Sequence, residues 1–256
     1  MIFNLVQYTL WGAMRDRMVF SMLGIMVLGA CLSLFLGSAA VMEQDQFVLV
    51  YAGGGLRLAV ILGLVLFVVS FIRKSFETKD VEFLLSRPVS RVQLVLAYSF
   101  AFSLIAILSA LALGLVIYAI APHLFSEGHI LWIASIGIEN IIMVNTALFF
   151  AMIITSAAGA AIATLGFYLL CRMMGQILGI AASGSIVQSG KMDEIMRIVV
   201  ETISMFLPRL DLLGQTSWLV YGEAGVISYG FIIMQGLVFT GLIVTACLFD
   251  LVRRQF

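Results

Sequence analysis

The sequence predicts an all-α membrane protein with six transmembrane helices, and three observations lead to that prediction. Hydrophobic residues make up 62% of the 256 residues and charged residues only 11%, and the mean hydropathy is +1.14. Soluble domains carry roughly 25% charged residues, so this chain has too little polar surface to cover a globule in water. Six apolar stretches are each long enough, at about 20 residues, to cross a bilayer. We therefore expect one membrane domain over residues 1–256.

The predicted elements follow one another with short polar connections. Residues 1–18 are amphipathic, aromatic and basic, which predicts a helix lying in the membrane interface rather than crossing it. A charged segment at residues 73–91 separates spans two and three. A polar segment at residues 181–223, with an amphipathic helical pattern around Ile195–Ile203, precedes the last span. The predicted spans are 19–41, 50–72, 92–120, 130–155, 157–180 and 224–251.

The distribution of basic residues predicts the orientation. With the N-terminus inside, nine Lys and Arg residues fall on the cytoplasmic side and four on the other, as the positive-inside rule requires. We therefore expect both termini and residues 73–91 in the cytoplasm, and residues 181–223 outside. The four residues assigned outside are Arg57, Lys191, Arg197 and Arg209.

The densest charge cluster of the chain is the segment at residues 73–91. Phe76, Phe83 and Leu84 recur at i, i+7 and i+8, which predicts a short helix with one apolar stripe. Pro88 disfavours helical geometry at Arg87, so this helix should end near Ser86. The pattern alone is compatible with a solvated connector and with a surface for a soluble partner.

Two short motifs carry a resemblance to a known family. Glu77, followed by Leu84-Leu85-Ser86-Arg87-Pro88-Val89-Ser90-Arg91, resembles the cytoplasmic signature of ABC-2-type transporter permeases, in which an acidic residue precedes a short helix and a Leu-Ser-x-Pro-[Ile/Val]-Ser-Arg turn into the third span. The run Leu-Pro-x-Leu-Asp-Leu-Leu at Leu207–Leu213 is similar to the family's outward segment before the last helix. This chain departs from the family at Lys79, where a glycine is common, and at Ala97-Tyr98, where a Gly-Lys pair is frequent.

The resemblance implies a function. Such a permease is the membrane subunit of an ABC transporter, here of the exporter type in the inner (plasma) membrane, and works as a homodimer or beside a related permease on two ATPase subunits. The chain contains no Gly-x4-Gly-Lys-[Ser/Thr] sequence, so we expect ATP and Mg²⁺ on the partner ATPase, and no cofactor or catalysis here. The residues implied in the ATPase contact are Phe76, Glu77, Lys79, Asp80, Glu82 and Phe83, with Arg15 and Arg17 of the interfacial helix nearby.

Glu139 is the one acidic residue deep in a predicted span. A buried charge costs several kcal/mol unless it is paired, and Arg172 in the next predicted span is the candidate partner. Such a pair would line a translocation path or lock two helices together. If the predicted boundaries are displaced, Glu139 instead lies near the outer interface.

Neither metal nor nucleic acid is expected as a ligand. Methionines repeat every four residues over Met14–Met26, but that period drifts around a helix, so their sulfurs do not converge on one point. His123 and His129 flank a loop with a single carboxylate, which is a weak ligand set. The formal net charge of zero argues against nucleic acid as a partner.

Two rival functions belong to other classes. An ion-coupled secondary transporter would depend on Glu139 and Arg172. An intramembrane enzyme would need a catalytic set facing a cavity, and the sequence offers no His/Glu cluster or Ser/Lys pair at a usable helical spacing.

Overall fold

The computed structural model describes residues 2–15, 17–39, 43–78, 90–182, 190–222 and 227–253. Within these ranges the secondary structure is helical and contains no strand. The helices are α1 (Ile2–Arg15), α2 (Arg17–Gly37), α3 (Gln44–Glu77), α4 (Arg91–Ile120), α5 (Glu127–Ile153), α6 (Ala157–Ala182), α7 (Gly190–Phe206), α8 (Ser217–Tyr221) and α9 (Tyr229–Arg253), with short 3-10 turns at Pro122–Leu124 and Leu210–Leu212.

Six of the helices in the described ranges, α2 to α6 and α9, are long and apolar enough to cross a membrane. This confirms the prediction of an all-helical chain with six apolar helices. The largest difference from the predicted boundaries is in α3, which has 34 residues. At a rise of 1.5 Å per residue α3 is about 51 Å long, well beyond the roughly 30 Å hydrocarbon thickness of a bilayer.

Helix α5 lies at the centre of the bundle. It packs against α3, α4, α6 and α9 and is the most buried of the six apolar helices, whereas α2 and α9 are among the least buried. Its side chains include Trp132, the largest of the fully buried residues. The exposed apolar faces of α2 and α9 are therefore available to lipid.

Polar side chains on α4 and α5 find partners across the interface between these helices. Asn145 accepts a hydrogen bond from the Ser99 hydroxyl at 2.5 Å and donates to the Ser103 hydroxyl at 3.1 Å. Asn140 donates to the Ser109 hydroxyl at 3.3 Å. Without water as a competitor, these bonds satisfy groups that would otherwise be costly in an apolar medium.

The N-terminal residues form helix α1, which packs against α4. Leu5, Val6 and Ala13 are buried, while Tyr8 and Trp11 are more than half exposed. This division gives α1 one face against the bundle and one aromatic face outside it. Its predicted position in the membrane interface stays a prediction.

The amphipathic pattern after the fifth span corresponds to α7, which packs on α6. The apolar residues Ile195, Ile198 and Ile203 remain exposed, so they face lipid or another chain. Arg197 and Glu201, four residues apart, form an exposed ion pair at 3.7 Å. Of the charged segment, residues 73–78 and 90–91 lie in the described ranges, whereas the predicted helix around residues 79–86 lies outside them.

The antiparallel order of the helices collects basic residues at one end of the bundle, which we call the basic face. The guanidinium of Arg91 donates to the Leu251 carbonyl at 3.1 Å, which ties the start of α4 to the end of α9. The described basic residues of this face are Arg15, Arg17, Arg73, Lys74, Arg91 and Arg253. At the opposite end Asp45 contacts His123 at 3.1 Å, which joins the start of α3 to the turn after α4.

Helix α8 packs so closely on α5 that Gly128 becomes a sensitive position. A Cβ atom at Gly128 would collide with the Trp218 carbonyl oxygen and would approach the Gly222 backbone to 3.1 Å. The substitution Gly128→Ala should therefore destabilise the protein by about 1–3 kcal/mol through overpacking. The melting temperature of the detergent-purified chain measures this effect.

The matched control is Gly24→Ala in α2, where a Cβ atom would meet no atom within 4 Å. Because alanine favours a helix over glycine by about 1 kcal/mol, this variant should melt at the same temperature or higher. Equal melting temperatures for the two variants would contradict the described packing of α8.

Candidate functional site

A buried ion pair in the middle of the bundle is the centre of the candidate site. Arg57 on α3 and Glu139 on α5 pair directly, and their side chains are 3% and 0% exposed. Tyr168 and Arg172 on α6 lie close enough to act electrostatically on Glu139. The site therefore joins three apolar helices through charged and polar side chains.

Arg57 also holds a non-helical backbone segment. Its guanidinium donates to the carbonyl oxygen of Gly214 at 2.5 Å and to that of Leu213 at 3.0 Å. The Gly214 amide donates in turn to the Ser135 hydroxyl of α5 at 2.9 Å. Two helices thus form hydrogen bonds to the same backbone turn.

The conformation at Gly214 explains why glycine stands there. Its φ is +55°, in the left-handed region that favours glycine. A Cβ atom at this position would lie 2.6 Å from a guanidinium nitrogen of Arg57. A side chain here would therefore displace Arg57 from its two carbonyl acceptors.

Arg172 binds the same segment from α6. Its guanidinium donates to the carbonyl oxygens of Leu210 and Leu213, at 2.5 Å and 2.7 Å. Nearby, Asp211 accepts two hydrogen bonds from the Arg209 guanidinium, at 2.9 Å and 2.8 Å. The Asp211 carboxylate lies against Gly175 of α6, where no side chain intervenes.

These contacts bring residues 207–214 into the helical bundle. Leu210 and Leu213 are fully buried, and Pro208 lines an apolar cavity of about 210 Å³ together with Phe149 and Phe150, near the end of α5. Irregular backbone occurs at membrane depth only where protein or a water-filled cavity satisfies its polar groups. Arg57, Arg172 and Ser135 supply hydrogen-bond partners for the polar groups of this backbone. We call residues 207–214 the re-entrant segment.

Two sequence-based assignments change at this site. Arg57, whose charge was counted on the outer side, is buried inside α3 and is the direct partner of Glu139. The predicted partner, Arg172, donates hydrogen bonds to backbone carbonyls instead. Its charge influences Glu139 electrostatically without a direct ion pair. One sequence signal marks Arg57 as a span residue: long uncharged apolar runs lie on both sides of it.

The structure describes part of the predicted ATPase contact. Phe76 is half-buried with the Arg73 guanidinium 5.8 Å from its ring centroid, and Glu77 is exposed at the end of α3. Arg15 and Arg17 lie at the basic face beside Lys74. The other predicted contact residues, Lys79, Asp80, Glu82 and Phe83, lie outside the described residues.

The start of α4, which follows that segment, is well defined. The Ser90 hydroxyl accepts from the Gln93 amide, and the Gln93 side chain accepts from the Ser90 amide, both at 3.2 Å. This reciprocal capping box fixes the first turn of the helix. Arg91 then reaches the end of α9.

Metal ligands are not grouped in the part of the chain that the structure describes: no three His, Cys, Asp or Glu side chains lie together. The comparisons with known proteins add no assignment, because the chain matches no protein-family model and no curated protein. The geometry of the site is therefore the basis for a functional proposal.

The ion pair generates a first prediction for this site. Glu139→Gln removes the charge that compensates Arg57, and breaking one side of a buried pair costs about 3–5 kcal/mol. We expect a lower melting temperature in detergent than for Glu127→Gln, an exposed acid on the same helix. In double-mutant cycles Glu139→Gln should couple more strongly to Arg57→Gln than to Arg172→Gln, and the reverse order would restore Arg172 as the partner.

The re-entrant segment generates a second prediction. Arg172→Met removes both hydrogen bonds to the Leu210 and Leu213 carbonyls, and bonds to charged donors contribute about 1.5–3 kcal/mol each. Amide hydrogen exchange in residues 207–216 should become roughly tenfold faster or more. Arg197→Met on α7, whose cation is exposed, should leave that exchange unchanged. Slow exchange in both variants would mean that Arg172 does not hold the segment.

Proposed function

We propose that this chain is the membrane subunit of an ABC transporter of the exporter type. In this proposal it lies in the inner (plasma) membrane with both termini in the cytoplasm, and it assembles as a homodimer or beside a related permease. Two separate ATPase subunits bind ATP and Mg²⁺ and drive its movements. The proposal rests on the sequence motifs at residues 77–91 and 207–213 together with the geometry that links them.

Helix α3 is the observation that carries the proposal. It is continuous over 34 residues and has Glu77, a predicted ATPase-contact residue, at its end. In its middle it has Arg57, which holds the re-entrant segment. The two positions are about 30 Å apart along the helix axis. A push at the basic face would therefore reach the re-entrant segment through one rigid element.

The two ends of the charged segment support a role in transmitting motion. At one end α3 is packed against α5, and at the other the capping box of Ser90 starts α4. Arg91 ties that start to the end of α9. A partner that displaces residues 79–89 would act on α3, α4 and α9 together.

Charge supports the proposed orientation. Six described basic residues lie at the basic face, and positive residues favour the cytoplasmic side. Since Arg57 lies within the bundle, it no longer counts for the outer side, and the asymmetry predicted from the sequence becomes larger. The basic face would then meet the ATPase.

Co-purification from native membranes tests the proposal. A tagged chain should retain an ATPase subunit in mild detergent. Replacing Phe83 by Ala should weaken that association roughly 30-fold or more if it is a buried anchor, as hot-spot residues cost at least about 2 kcal/mol. Replacing Glu77 by Ala should mainly slow association, because charges at an interface rim act on the on-rate.

The control is Glu127→Ala, which removes an exposed acid at the opposite end of the bundle and should leave the association intact. Full ATPase binding and transport in both the Phe83 and the Glu77 variants would refute the assigned contact. Transport driven by a proton or sodium gradient without ATP would favour the secondary-transporter alternative.

A further inference from the structure

A groove at the basic face has no assigned ligand in the proposed transport function. It has a volume of about 720 Å³, within the roughly 300–1,000 Å³ typical of small-molecule sites. Its lining comes from α1 and from the last turns of α3, with Arg17 at the start of α2. Its lining residues are Tyr8, Trp11, Gly12, Arg15, Arg17, Phe71, Lys74 and Ser75.

The walls are built by helical spacing. Tyr8, Trp11 and Arg15 follow at i, i+3 and i+7, so they share one face of α1. Phe71 and Lys74 share a face of α3 in the same way. Gly12 leaves room for the Phe71 side chain, because a Cβ atom there would lie 3.1 Å from the Phe71 ring. The aromatic and cationic side chains therefore converge on one space.

The charged residues in the described lining of the groove are all cations. Arg15, Arg17 and Lys74 line it, whereas the described lining contains no carboxylate. The ion pairs recorded within the described ranges involve none of these three cations. Three cations around one cavity repel one another, and an anion between them would remove that repulsion. The ligand should therefore carry negative charge that accepts hydrogen bonds, as a phosphate does.

The surroundings point to a lipid as the source of the phosphate. The groove lies at the ends of apolar helices, and exposed Trp and Tyr side chains beside basic residues are typical of the membrane–water interface. Trp11 and Tyr8 offer apolar surface next to the cations, which suits a molecule with a phosphate and a hydrocarbon part. The cytoplasmic leaflet is rich in anionic lipids that attract basic segments.

We propose that this groove binds the headgroup of an anionic phospholipid, with Arg15, Arg17 and Lys74 around the phosphate and Trp11 and Tyr8 against the glycerol and upper acyl region. The bound lipid fastens α1 to the end of α3. The proposal depends on the membrane setting of the helices and not on the identity of the transport partner.

Lipid titration of the purified full chain tests the proposal without any ATPase. Trp11 is exposed at the groove while Trp132 and Trp218 are buried, so a change in tryptophan fluorescence reports on this site. In a neutral detergent, short-chain phosphatidylglycerol should produce a saturable blue shift. Phosphatidylcholine with the same acyl chains, and inorganic phosphate at equal concentration, should not. Trp11→Phe should remove the signal.

Variants test which cations bind. Lys74→Gln and Arg15→Gln should each weaken binding, so that the half-saturation concentration for phosphatidylglycerol rises roughly fivefold. This is the effect expected for one basic residue near an anionic lipid. The matched control is Arg253→Gln, an exposed cation of the basic face whose guanidinium stacks on Phe249 outside the groove. Because this guanidinium lies outside the groove and salt screens exposed charges that make no direct contact, the variant should change the value by less than about twofold.

Three results would overturn the proposal. Equal binding of phosphatidylcholine would mean that the headgroup charge is not recognised. Saturation by inorganic phosphate at the same concentration would indicate a soluble phosphate ligand. A loss in the Arg253 variant equal to that in the Lys74 variant would indicate diffuse surface attraction. A failure of ATPase co-purification would leave this result unaffected, so the two proposals fail separately.

Discussion

The pairing of Arg57 with Glu139 is the interaction on which the rest of the bundle depends. Both side chains are buried among apolar helices, where an unpaired charge is costly. The pair fixes α3 against α5, the central helix, and the remaining donors of Arg57 then reach the Gly214 and Leu213 carbonyls. One guanidinium thus balances the charge of a carboxylate and also donates hydrogen bonds to two backbone carbonyls.

Hydrogen bonds from two arginines stabilise the backbone of the re-entrant segment inside the bundle. Backbone that leaves the helical pattern inside a membrane has carbonyl groups without helical partners. Arg57 from α3 and Arg172 from α6 supply donors to three of these carbonyls, and the positive φ of Gly214 allows the close approach. Helix α3 also reaches the basic face, so it connects that face to the re-entrant segment. The proposed coupling depends on this connection.

The helices other than α3 were predictable to a few residues, since each span is a long, predominantly apolar run bounded by polar residues. The amphipathic pattern around Ile195–Ile203 likewise predicted α7. The polar site was only half predictable: Glu139 stood out because an acid in a span is rare, but the charge of Arg57, inside the predicted span 50–72, was counted on the outer side. Counting basic residues treats each arginine as a surface charge, and that assumption fails for one that enters the bundle.

By itself the sequence determined how many helices are apolar enough to cross a membrane, the approximate bounds of all of them except α3, and which end of the bundle is basic. These properties depend on local composition and on the period of the helix. Only the tertiary structure decided that Glu139 pairs with Arg57 and that Arg172 binds backbone instead. The reason is that both arginines carry the same charge, and the distance between α3, α5 and α6 is set by packing between segments far apart in the chain.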